Sequence, residues 1–113
     1  MSEIGIDIDH DDRVIVKDII LKIMLNYKPQ WLRLFVSPSK RGYHIKFKIS
    51  RNYSPRTLIR IRKSLGDDPN RIKMVGGEYR DVLFDVKVVN GKKMFSREID
   101  PLKFIKTGKR IYI

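Results

Sequence analysis

The sequence predicts a single α+β domain, an antiparallel sheet with two helices on one face and the other face open. Three observations predict it. Several short stretches alternate apolar and polar residues with the period of a half-buried strand. Two others carry apolar residues at helical spacing. Their order along the chain is strand, helix, strand, strand, helix, strand. At 113 residues the chain, 1–113, makes one domain with one core.

The first strand is "EIGIDID", where Ile4, Ile6 and Ile8 alternate with Glu3, Gly5, Asp7 and Asp9. A helix follows in "DDRVIVKDIILKIMLNY", capped by Asp11 or Asp12, with Val16, Ile19, Ile20, Ile23, Met24 and Tyr27 on its apolar side. Pro29 stops it. In "WLRLFVS", Leu32, Leu34 and Val36 point one way and Trp31, Arg33 and Phe35 the other. The turn "SPSKRG" leads into "YHIKFKIS", where Tyr43, Ile45, Phe47 and Ile49 alternate with His44, Lys46, Lys48 and Ser50. The second helix, "SPRTLIRIRKSLG", has Ser54 as cap, Pro55 at its first position and Gly66 as its stop. Leu58, Ile61 and Leu65 face the core, and Arg56, Arg60, Arg62 and Lys63 form a basic outer surface. After the turn "GDDPN", the segments "RIKMV", "DVLFDVKVV" and "KKMFSRE" supply further strands, with "GGE" and "NGK" as turns. The basic tail "PLKFIKTGKRIYI" adds a helical turn or an edge strand.

This order is the split βαβ, ferredoxin-like βαββαβ pattern, in which the first and third strands are central and the fourth flanks the first. The register then places residues. With Ile4, Ile6 and Ile8 turned to the helices, Asp7 and Asp9 lie on the open face, and His44, Lys46 and Lys48 lie beside them. If "DVLFDVKVV" is the fourth strand, Val82, Phe84, Val86 and Val88 go inward and Asp81, Asp85 and Lys87 outward. If "RIKMV" takes that place, Asp85 moves away. Arg33 and Phe35 complete the surface.

Lys and Arg number 25 against 13 Asp and Glu, a formal net charge of +12, which points to a polyanionic partner, nucleic acid before an anionic membrane. No apolar run approaches the length of a membrane span, and the acidic N-terminus lacks the features of a signal peptide. With no cysteine there is no disulfide, thiolate metal site or cysteine nucleophile. A cytoplasmic location is expected. The acids are concentrated, with Asp7, Asp9, Asp11 and Asp12 close together in a basic chain.

Carboxylates on adjacent strands make an oxygen-ligand site for a hard cation, Mg²⁺ or Mn²⁺. Such an ion neutralises triphosphate oxygens, while a histidine and lysines hold phosphates as donors. That division of labour belongs to phosphoryl transfer. Ser37 and Ser39 have no histidine and carboxylate at triad spacing, and no Gly-rich phosphate loop is present.

The Asp-x-Asp of "IGIDID", followed by a helix, a strand and "SPSKRGYHIKF", resembles the first two motifs of the archaeo-eukaryotic primase superfamily. Asp85 in "VLFDVKVV" is similar to the third. The resemblance implies an RRM-like sheet, a metal site of Asp7, Asp9 and Asp85, and contact of His44, Ser39, Lys40 and Arg41 with the nucleotide's phosphates. It points to relatives in archaeal viruses and mobile elements. Active members carry a further αβ module before the Asp-x-Asp, whereas six residues precede Asp7 here. The expectation is therefore a minimal core that works with a protein partner in replication or repair, or a degenerate copy that only binds nucleic acid.

The competing reading is a non-enzymatic binder of single-stranded nucleic acid, DNA ahead of RNA. Phe35, Trp31 and Tyr43 would stack bases, and Arg33, Lys46, Lys48, Arg60 and Lys87 would hold phosphates. A rolling-circle nuclease fits poorly, because "HIK" supplies one histidine where a metal pair needs two. A homodimer through an edge strand is compatible with the sequence.

Overall fold

The computed structural model describes residues 2–67 and 86–113. Strand β1 (Ser2–Ile8) leads into helix α1 (Arg13–Tyr27), and strands β2 (Trp31–Val36) and β3 (Tyr43–Ile49) follow, then helix α2 (Pro55–Ser64). Beyond the segment 68–85 come β4 (Val86–Val89), β5 (Lys92–Phe95), β6 (Arg97–Ile99) and a short helix α3 (Pro101–Thr107).

Local chemistry sets the boundaries. Asp12 caps α1, its carboxylate accepting from the N–H groups of Val14 and Ile15. The helix ends where Lys28 turns left-handed at φ 46°, just before Pro29. Ser54 caps α2 by accepting from Thr57 N–H, Pro55 fills the first turn, and Gly66 takes φ 80° after the end. In the β4–β5 hairpin Asn90 and Gly91 both have positive φ, the conformation that an Asn-Gly type I′ turn requires.

All pairings in the four-stranded sheet are antiparallel, and its order is β1-β3-β2-β6. Its inner face carries Ile4, Ile6, Ile8, Leu34, Val36, Ile45, Phe47 and Ile99, each at most 2% exposed. Val16, Ile20 and Ile23 of α1, Leu58 and Ile61 of α2, and Phe104 of α3 pack into the same cluster. Each such side chain contributes about 1.5–3 kcal/mol by leaving water. The three helices among the described residues therefore lie on one face of the sheet.

The fold is α+β, with β1 and β3 adjacent and β2 beside β3 as the pattern requires. The strand order differs at the edges. Among the described residues no strand pairs with the outer edge of β1; there the Asp7 N–H donates to the Asp67 carboxylate, which occupies a ladder position. The fourth place is taken instead by β6, beside β2. The segment "KKMFSRE" divides at Ser96, its first half returning on β4 and its second half pairing with β2. The tail folds as α3 and then returns to β6 through the Ile99–Tyr112 bridge. Met24 is 43% exposed rather than inward. Arg62, expected on the outer surface of α2, is fully buried. The segment "RIKMV" and the turn "GGE" lie outside the described residues. Among the described residues no helix is long and apolar enough to cross a membrane.

Candidate functional site

Register aligns the face opposite the helices into three rows. Asp7, His44, Phe35 and Glu98 stand abreast across β1, β3, β2 and β6. Gly5, Lys46 and Arg33 form the next row, and Glu3, Lys48 and Trp31 the third. Strand alternation thus brings Asp7, His44, Lys46, Lys48, Arg33 and Phe35 onto one side.

The first row is the most tightly built. Because the Asp7 N–H turns outward to Asp67 at 2.7 Å, Asp7 and His44 form a non-hydrogen-bonded pair, the type that brings facing side chains closest. His44 Nε2 lies 3.5 Å from Asp7 Oδ1. His44 is only 4% exposed, however, so it is not the open phosphate donor expected of it. Its row neighbours Asp7, Phe35 and Glu98 are half-buried, as are Lys46 and Lys48 further along the face.

Phe35 is flanked by two cations. The Arg33 guanidinium carbon and Lys46 Nζ each lie 5.1 Å from its ring centroid. Arg33 is in turn held by Glu98 through a two-bond fork, Nε to Oε2 at 3.0 Å and Nη2 to Oε1 at 2.8 Å. That hydrogen-bonded pairing holds the Glu98 carboxyl below the usual range, against the opposing effect of its partial burial. Trp31 is half-buried in the third row.

The β2–β3 turn stands against the end of β1. A Cβ on Gly42 would sit 2.0 Å from Ile8 O and 3.2 Å from Asp9 Cα, so glycine is required by close approach of two backbones. The turn closes through Ser37 N–H to Gly42 O at 3.0 Å and Lys40 N–H to Ser37 O at 2.8 Å. Ser39 Oγ is engaged within it, 3.1 Å from Ser37 Oγ, and accepts weakly from Arg41 N–H. Lys40 and Arg41 are exposed, Lys40 at φ 61°. Asp9 is exposed just past the strand end.

The other expected residues are placed differently. Tyr43 is buried and cannot stack a base; its alternation with His44 already turns it inward, where its ring meets Phe104 edge-on at 5.4 Å. Lys87 belongs to β4, in the two-stranded β4–β5 sheet rather than beside β1. Arg60 is exposed on α2, across the sheet from Lys46. Asp85 lies outside the described residues. Among the described residues no group of three or more His, Asp or Glu is arranged to hold a metal ion.

Two clusters were not legible. Arg62 and Asp67, whose side chains are wholly buried, pair at 2.6 Å at the edge of β1. Arg110 of the tail donates to Tyr43 Oη at 3.1 Å and to Lys40 O at 3.2 Å, and reaches Asp11 Oδ1 at 3.2 Å. Tyr43 also donates to Asp11. Burial raises the Asp11 carboxyl, but the Tyr43 hydrogen bond and the charges of Arg110 and Arg13 outweigh it and leave the group below its ordinary value. Burial and the Asp11 hydrogen bond raise the Tyr43 phenol. In sequence, Asp67 reads as part of a turn and Arg110 as tail charge. No family model matches the chain, and neither a curated protein nor a solved structure matches it.

Proposed function

We propose that this protein binds single-stranded nucleic acid, DNA in preference to RNA, across the sheet face carrying Phe35, Lys46 and Lys48. The observation that carries the reading is Phe35 with the Arg33 and Lys46 cations each 5.1 Å from its ring, and Lys48 and Trp31 in the row beyond them. An aromatic surface interleaved with cations suits stacked bases and a tracked backbone. The net charge of +12 supplies the long-range attraction. A cytoplasmic protein working beside a replication or repair partner is consistent with this role.

A second reading is metal-dependent nucleotidyl transfer by a primase-like site. It is supported by the Asp7–His44 pair and by the packing of the Ser39–Arg41 turn against Asp9 through Gly42. Mg²⁺ or Mn²⁺ would be held by Asp7, Asp9 and Asp85, and would supply charge neutralisation at the phosphates. The described residues alone do not make that ligand set. The finer ferredoxin-like assignment belongs with this reading, supported by the β1-β3-β2 order and by helices on a single face.

The deciding experiment is binding of a labelled single-stranded oligonucleotide, with and without chelator, paired with primer extension in Mn²⁺. Chelator-insensitive binding without extension supports the binder. Extension that disappears in Asp7→Asn/Asp9→Asn establishes the enzyme. Absence of any binding removes both.

A further inference from the structure

At the far end of the sheet from Asp7 and His44, the end of α1 and the β3–α2 loop enclose a pocket of about 350 Å³. It is lined by Asn26, Tyr27 and Lys28 from the helix end and by Ser50, Arg51 and Tyr53 from the loop, with Ile49 as an apolar wall. From this geometry we infer that the pocket is a binding site for a free mononucleotide, separate from the sheet face and independent of what that face binds.

The lining dictates the class of ligand. It contains two cations, Lys28 and Arg51, both exposed, and no carboxylate, so it favours an anion. Neither cation has a carboxylate partner among the described residues. Tyr27 and Tyr53 are half-buried, and the Tyr27 ring is anchored 6.1 Å from Phe47, so two aromatic rings stand beside the cations. The volume is at the low end of small-molecule sites, enough for one nucleotide rather than a polymer segment.

A bare phosphate is not the best occupant. The last turn of α1 presents carbonyls without helical partners, at the negative end of the helix dipole. Beside the Lys28 ammonium, that side of the pocket also offers acceptors to a ligand's hydrogen-bond donors. The arrangement therefore suits a ligand that is anionic at one end and carries N–H or O–H donors at the other. A nucleoside monophosphate has both, and its planar base suits the tyrosines.

The backbone at Lys28 gives a clean test. Lys28 holds φ 46°, a conformation glycine adopts without strain, so Lys28→Gly removes the cation without cost to the fold. Arg51 fixes the loop through its backbone carbonyl, which accepts from Ser2 Oγ at 2.8 Å, so Arg51→Ser spares that bond. Titrating the full chain with AMP, inorganic phosphate and ribose 5-phosphate, followed by amide NMR shifts, should give saturable AMP binding centred on residues 26–28 and 50–53. Lys28→Gly/Arg51→Ser should weaken it at least tenfold with the melting temperature unchanged, and phosphate and ribose 5-phosphate should bind more weakly than AMP. Lys46→Ala/Lys48→Ala should leave it intact. No saturable AMP binding, shifts centred on Lys46 and Lys48, or equal affinity for inorganic phosphate overturns the assignment. Because oligonucleotide binding to the sheet face is read separately, either result can occur without the other.

Discussion

Asp67 places one carboxylate oxygen 2.7 Å from the Asp7 backbone nitrogen and the other 2.6 Å from Arg62 Nε. One buried acid thus ties the end of α2 to the edge of β1 and turns the Asp7 N–H away from β3. Asp67→Ala leaves Arg62 buried without this carboxylate, and breaking such a pair costs about 3–5 kcal/mol. Arg62→Met/Asp67→Leu should cost clearly less than Asp67→Ala, since it removes both charges together. Urea unfolding of the two variants checks this. Equal losses would mean that the pair is not coupled.

Gly42→Ala tests the contact between the β2–β3 turn and β1. The added methyl would lie 2.0 Å from Ile8 O, a backbone atom that cannot swing aside. The expected loss is about 3 kcal/mol, the upper end of the overpacking range. Gly91→Ala, at φ 77° with nothing within 4 Å, separates strain from collision. It should cost only the conformational penalty, about 1 kcal/mol. Thermal melts of the two variants rank the effects.

Much of the sheet was legible because its signal is local. The alternations in "EIGIDID", "WLRLFV" and "YHIKFKI" correctly sorted Ile6 from Asp7, Leu34 from Phe35 and Ile45 from His44. Ser54 with Pro55, and Asn90 with Gly91, marked a helix start and a hairpin through backbone chemistry alone. Pairing across long separations left no such mark. Nothing in "SREID" says that Ile99 will enter the core while Glu98 reaches Arg33, 65 residues away. Arg62 looked exterior because helical spacing cannot show that a later acid folds back beneath it. Periodicity assigned His44 its face correctly, but a face is not an exposure.

The Asp11–Tyr43–Arg110 cluster predicts a stability window with two edges. The Asp11 carboxyl is depressed below its ordinary value of 3.8, so its contribution is present above that pH and is lost as the pH falls through the lower folded value. The Tyr43 phenol is raised above 10.0, so its neutral form favours folding below that pH and the contribution is lost as the pH rises through the higher folded value. Tyr43→Phe should flatten the alkaline limb and weaken the acid limb of ΔG against pH, measured by denaturant unfolding at each pH. An unchanged alkaline limb would place the controlling group elsewhere.

On the sheet face, charge and stacking are separable. Lys46→Ala/Lys48→Ala removes two phosphate contacts, so the slope of log affinity against log salt for a single-stranded oligonucleotide should shrink by about 1.4. Phe35→Ala keeps both lysines and should leave that slope nearly unchanged while lowering affinity at every salt concentration. If a base stacks there, the loss is about 1–3 kcal/mol. Glu98→Gln offers a third arm, because it keeps the side chain's shape but removes the charge that pairs with Arg33. Losing a negative charge from the face should tighten oligonucleotide binding and steepen the slope. Fluorescence anisotropy between 50 mM and 200 mM salt distinguishes the three, with unfolding curves showing that each variant is folded. A Phe35→Ala variant that binds as tightly as the parent would leave the face as an electrostatic surface without base contacts.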